Sequence, residues 1–161
     1  GSIAERRTDR MLDPARSRDL PAFLADDPGV DSGMMIAQYT QAGLVAENKR
    51  LAGTASVDSI PSSAMQEDHV SLGWHAARKL RTAVANLRRI LAVEMLIAGR
   101  ALDLRAPLLP GPATGAVLDL LRTKVAGPGE DRFLSAELEA ACELLESGAV
   151  HEVLQPYLSR G

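Results

Sequence analysis

The chain has 161 residues, of which 46% are hydrophobic but only 3% aromatic, and a formal net charge of −3 from 18 basic and 21 acidic side chains. That length suits one ordinary domain with a real core, packed by Ala, Leu and Val rather than by rings. The charge balance excludes a general nucleic-acid surface, no apolar run is long enough to span a membrane, and the one cysteine, Cys142, allows no internal disulfide and points to a reducing, cytoplasmic setting.

Ile3 to Leu12 reads as a helix, stopped by Asp13-Pro14 and Leu20-Pro21, because the residue before proline is steered away from helical dihedrals. Asp26-Asp27-Pro28-Gly29 is a turn. A second helical pattern begins at Gly33, with Met35, Ile36, Tyr39, Leu44 and Leu51 on one broad face, and ends near Gly53. Ser56 to Ser63 is loop-like. Ser63-Ala64-Met65-Gln66 has the form of a capping box, so the longest helix is expected to run from Glu67 to Leu102. It carries two apolar stripes. One is Leu80, Val84, Leu87, Leu91, Met95, Ala98 and Leu102; the other is Ala76, Ala83, Ile90, Val93, Ile97 and Ala101. A helix apolar on two faces needs several neighbours, in a bundle or at a subunit contact.

After a break at Leu108 to Pro112, two shorter helices are expected, Ala113 to Ala126 and Ser135 to Glu146, with Gly148 ending the second. No alternating strands are evident. The fold class is therefore all-α: a long-helix bundle segment over residues 1–105 and a smaller helical tail over residues 106–161.

The residues alone give little support to free-standing catalysis. Asp68, His69 and His75 do not share one helix face, which argues against a metal site. No nucleophile elbow, phosphate loop or dinucleotide fingerprint occurs. Cys142 falls in an apolar stripe with Leu138, Ala141 and Leu145 and reads as a small core residue. Glu67 has two readings: a first-turn acid stabilised by a helix N-terminus, or a carboxylate facing a pocket for proton transfer or substrate binding.

The run Ser56-Val57-Asp58-Ser59-Ile60-Pro61, followed by Gln66-Glu67-Asp68-His69-Val70-Ser71, resembles the signature block of the histidine ammonia-lyases, within the aromatic amino-acid ammonia-lyases. Ser32-Gly33-Met34-Met35-Ile36-Ala37-Gln38, Glu47-Asn48-Lys49, Glu5-Arg6-Arg7 and Asp131-Arg132-Phe133 resemble further elements of that family, in order. The resemblance implies non-hydrolytic removal of ammonia from an aromatic amino acid, with histidine giving trans-urocanate. It implies a methylideneimidazolone electrophile made from an internal Ala-Ser-Gly, and a homotetramer whose active sites draw on different subunits. It assigns a catalytic role to Glu67 and substrate-binding positions to Gln66 and Met34, where Met34 stands in place of a pocket phenylalanine.

This chain has no Ala-Ser-Gly. It therefore resembles roughly the last third of a lyase, with no cofactor of its own and the electrophile expected in an upstream portion. Such a segment is expected to be inactive alone and to self-associate. Two other readings stand beside it: a non-catalytic helical assembly or regulatory module derived from a lyase, and a lyase or aminomutase acting on another aromatic amino acid.

Overall fold

The computed structural model describes residues 1–158. Among the described residues, six α-helices and two short 3₁₀ helices, Ala22–Leu24 and Ala55–Val57, account for the regular structure, and no strand occurs. The α-helices are α1 (Ser2–Leu12), α2 (Met35–Leu51), α3 (Gly73–Asp103), α4 (Pro112–Arg122), α5 (Ser135–Glu146) and α6 (Ala149–Leu158). The chain is all-α, as expected.

The axis is α3, whose 31 residues extend about 46 Å at 1.5 Å per residue. Helices α1, α2 and α5 pack along it. Val93, Leu96, Ile97 and Ala101 of α3 share one core cluster with Leu24, Met34 and Ala37 and with Leu121, Val125, Ala141 and Leu144. A smaller cluster of Ala4, Val45 and Ile90 joins α1, α2 and α3. Polar ties reinforce the contact: Arg7 of α1 pairs with Glu94 of α3, and buried Gln41 of α2 donates to the Ile90 carbonyl at 2.9 Å.

Every buried residue of α3 lies at or beyond Asn86. The stripe that meets the core is the second one, from Ile90 through Val93 and Ile97 to Ala101. The first is bare or half bare: Leu80 is 65% exposed, Val84 50% and Leu91 39%, with Trp74 at 79% near the helix start. On α2, Ile36 and Tyr39 are similarly open. A two-striped helix covered on one stripe only leaves an apolar surface of the kind that marks interaction sites.

Besides α4, which ends at Arg122 rather than Ala126, two features differ from expectation. The long helix starts at Gly73, not Glu67. Ser63, Ala64 and Met65 all take left-handed dihedrals, with φ of 53°, 52° and 70°. A right-handed helical turn cannot pass through three such residues, so the expected capping box does not form. The Gln66 amide donates to the Ser63 backbone carbonyl at 3.1 Å instead, and the Gly73 amide at the helix start is met by the Ser71 hydroxyl at 3.3 Å. The second difference is α6. Gly148, with φ of 85°, lies at the end of α5 as expected, but Ala149–Leu158 follows as a further, unexpected helix that tolerates Pro156 near its end. No helix among the described residues is long and apolar enough to cross a membrane.

Candidate active-site segment

The signature segment forms a small looped finger between α2 and α3. The Ser62 amide donates to the Glu67 carbonyl at 2.9 Å, and the Glu67 amide returns to the Ser62 carbonyl at 3.3 Å. Nearer the base, the Ser59 hydroxyl both accepts from the Val70 amide at 2.8 Å and donates to the Val70 carbonyl at 3.0 Å. The tip between these ties is the left-handed turn Ser63–Met65. Each left-handed non-glycine residue costs about 1–2 kcal/mol, and such conformations cluster where surroundings over-determine the backbone.

Gln66, Glu67, Asp68 and His69 follow the tip and are all exposed. Glu67 is therefore a loop carboxylate six residues before the helix, and its reading as a first-turn acid is corrected. At the finger's base, a cleft of about 330 Å³ lies against the start of α3, with Asp58, His69, Ser71 and Ala76 on its walls. No group of three or more His, Cys, Asp or Glu side chains among the described residues is placed to hold a metal ion.

Met34 lies elsewhere. It sits at the N-terminus of α2, only 2% exposed, beside Leu96 and Arg100. The finger's cleft meets α3 at Ala76, twenty residues before Leu96, or about 30 Å along the helix. Within one chain, the finger and Met34 thus belong to opposite ends of α3.

The surroundings of Met34 are heavily tied. Buried Arg100 donates from Nε to the Leu24 carbonyl at 2.6 Å and from a terminal nitrogen to the Gly129 carbonyl at 2.8 Å. Burial pulls its pKa below the ordinary guanidinium value, with neighbouring Arg132 acting the same way. Asp131 accepts the amides of Ser32 and Gly33, at 2.7 and 2.8 Å, on its two oxygens. Those amides hold its carboxyl below the usual carboxylate range. Sequence reasoning noted Asp131-Arg132-Phe133 only as a motif. Its contact with Ser32 spans 99 residues, and no local signal could have paired them.

A cleft of about 460 Å³ lies between α2, α3 and α5 and is bordered by Ile36, Val93, Leu138 and Cys142. Cys142 is half-buried on its wall and packs against the core. Burial raises its thiol pKa, which disfavours the reactive thiolate.

The aromatic amino acid lyase family model matches residues 1–123. The chain belongs to that family. It is 64% identical to the histidine ammonia-lyase of Streptomyces avermitilis over 151 residues, which are 93% of this chain and 30% of that protein. It is also 64% identical to the Streptomyces griseus histidine ammonia-lyase, covering 97% of this chain and 31% of the relative. Its backbone matches the crystal structure of histidine ammonia-lyase from Trypanosoma cruzi with a TM-score of 0.93 at 44% identity, over 97% of this chain and 30% of that one. Tyrosine aminomutase from Streptomyces globisporus matches with a TM-score of 0.89 at 37% identity, over 95% and 29% respectively. The chain thus spans about three tenths of the length of these relatives.

Proposed function

We propose that this chain is the C-terminal portion of a cytoplasmic histidine ammonia-lyase, which releases ammonia from L-histidine without hydrolysis and leaves trans-urocanate. The identity to the Streptomyces histidine ammonia-lyases carries this reading. In it, Glu67 takes part in proton transfer or grips the imidazole and Gln66 lies beside it, while Met34, buried in the core, backs the pocket wall rather than touching substrate. A carboxylate on a rigidly tied finger suits proton transfer, which needs the group within hydrogen-bond reach of its target.

The separation of the finger from Met34 along α3 supports an active site shared between subunits. The finger of one copy would complete the site of another. Bare apolar residues at Trp74, Leu80 and Val84 of α3 and Ile36 and Tyr39 of α2 support burial in such an assembly, a homotetramer in this reading. The methylideneimidazolone group does not fit this chain by itself, because no Ala-Ser-Gly is present to cyclise. In this reading the electrophile belongs to the rest of the enzyme.

The similarity to tyrosine aminomutase at 37% identity favours one competing reading, a lyase or aminomutase acting on another aromatic amino acid. Incubation of the full-length protein with histidine or with tyrosine separates them. Urocanate absorbance and ammonia from histidine are expected. Conversion of tyrosine with none of histidine would replace the proposal. This chain alone is expected to give no urocanate; turnover by it would overturn the assignment of the electrophile to other sequence and the reading as an incomplete site.

A further inference from the structure

We infer that Ser59 is a positioning residue for the Glu67 carboxylate, an inference that rests on the reading of Glu67 given above. The finger that carries Glu67 contains no buried residue, and Ser63 to His69 are all exposed. Packing against the core therefore does not fix its shape, and hydrogen bonds must. The first tie is the reciprocal pair of backbone bonds between Ser62 and Glu67. It commits both main-chain groups of Glu67 and so sets the direction in which the carboxylate leaves the arm. A lone rung of this kind is weak in water, and this one closes on three left-handed non-glycine residues, Ser63 to Met65, whose conformation is unfavourable by itself.

The second tie is Ser59. Ser59 and Val70 stand three residues further from the tip on the two arms, in the same antiparallel register as Ser62 and Glu67. At this level a side chain closes the arms instead of the backbone. The Ser59 hydroxyl accepts the Val70 amide at 2.8 Å and donates to the Val70 carbonyl at 3.0 Å, so one small group satisfies both main-chain groups of the facing residue. A hydroxyl can do this because it is donor and acceptor at once. Below Ser59 the root of the finger is fixed: Lys79 of α3 donates to the Gly53 carbonyl just past α2, and the Ser71 hydroxyl meets the Gly73 amide. Ser59 thus joins a fixed root to the rung that carries Glu67. Without it the arms are free to part between root and tip, and Glu67 swings on a single rung. Misplacement of a reacting group by about 1 Å can cost 10²-fold in rate. Ser59 is half-buried and belongs to neither core cluster, so its loss leaves the packing of the helices untouched.

The test uses the full-length protein with Ser59→Ala, Ser59→Thr, Glu67→Gln and the double variant Ser59→Ala with Glu67→Gln. It measures kcat and KM for histidine together with the folded fraction. Ser59→Ala is expected to lower kcat by about tenfold, with KM changed less than about threefold. Ser59→Thr, which keeps the hydroxyl, is expected to restore most of the loss. The deciding readout is the cycle: once Glu67 is glutamine, Ser59→Ala should cost less than about twofold more, because the two residues act as one unit. An equal loss in both backgrounds, or a lower folded fraction with unchanged kcat per folded enzyme, marks a merely structural role and overturns the inference. If Glu67→Gln abolishes turnover and Ser59→Ala does not lower it, only the positioning role fails. If Glu67→Gln keeps full turnover, the reading of Glu67 falls, and this inference with it. Should Ser59→Ala fail to fold, Ser59→Cys, whose thiol is a weak donor and a weak acceptor, takes its place in the same cycle and decides by the same criterion.

Discussion

Asn86 reaches from α3 to α2 and donates its side-chain amide to the Glu47 carboxylate at 2.7 Å. The same nitrogen donates to Asn48 Oδ1 at 3.1 Å, and Asn48 returns a bond to the Ala83 carbonyl at 3.2 Å. This network marks the point on α3 where burial begins. Asn86→Leu removes both donations and sets an apolar side chain against a carboxylate. A loss of about 1–3 kcal/mol is expected, read as a lowered urea midpoint for this chain. Glu47→Gln keeps an acceptor and should cost less.

Glu67 offers a cleaner separation of chemistry from stability than a buried residue would. Its side chain is exposed on the finger, and exposed substitutions usually shift stability by less than about 0.5 kcal/mol. In the full-length protein, Glu67→Gln is expected to lower kcat by a factor of about 10² with an unchanged melting temperature. If turnover survives, the proton-transfer role is wrong.

The uncovered stripe of α3 predicts self-association of this chain. Sedimentation at rising concentration should show oligomers, and Leu80→Glu with Val84→Glu should shift the distribution toward monomer while helical content holds. Both positions are already open to solvent in one chain, so the charges disturb no core packing. A strictly monomeric wild-type species at high concentration would count against the shared-site proposal.

Two glycines should respond differently to alanine. At Gly33 the new Cβ meets backbone in a left-handed turn, and strain and clash together are expected to cost roughly 2–4 kcal/mol. At Gly99 it meets the Leu121 side chain at 2.7 Å. A side-chain tip can move, and alanine is worth about 1 kcal/mol over glycine within a helix. Gly99→Ala should therefore be much the milder change in a denaturant series.

Acid sensitivity follows from Asp9, Asp13 and Asp131. Hydrogen bonds from Arg16 chiefly lower the first two, and the Ser32 and Gly33 amides lower the third. A carboxyl lowered on folding contributes stability that is complete above its unfolded pKa, near about 4, and is lost as pH falls through the folded value. Wild type should lose stability below about pH 4. Asp131→Asn should be less stable at neutral pH, and its deficit should shrink on acidification. A deficit that stays constant between pH 7 and pH 3 would contradict the Asp131 contribution.

The order of the first five helices, the all-α class and the place of Cys142 in an apolar stripe were legible in the residues, because helical periodicity and proline stops act within a few positions of the chain. The signature block around Glu67 was legible as a pattern of residue types. Its shape was not. Ser63-Ala64-Met65-Gln66 satisfies the local rule for a helix start, yet a left-handed turn occupies it and delays the helix to Gly73. Which stripe of α3 meets the core was equally undetermined, since both are apolar and only the placement of α1, α2 and α5 selects the one through Ile90 and Ile97. The pairing of Asp131 with Ser32 and Gly33, and the distance along α3 between Met34 and the finger, are likewise decisions of the tertiary structure. They depend on contacts between residues remote in sequence, and local propensity holds no information about those.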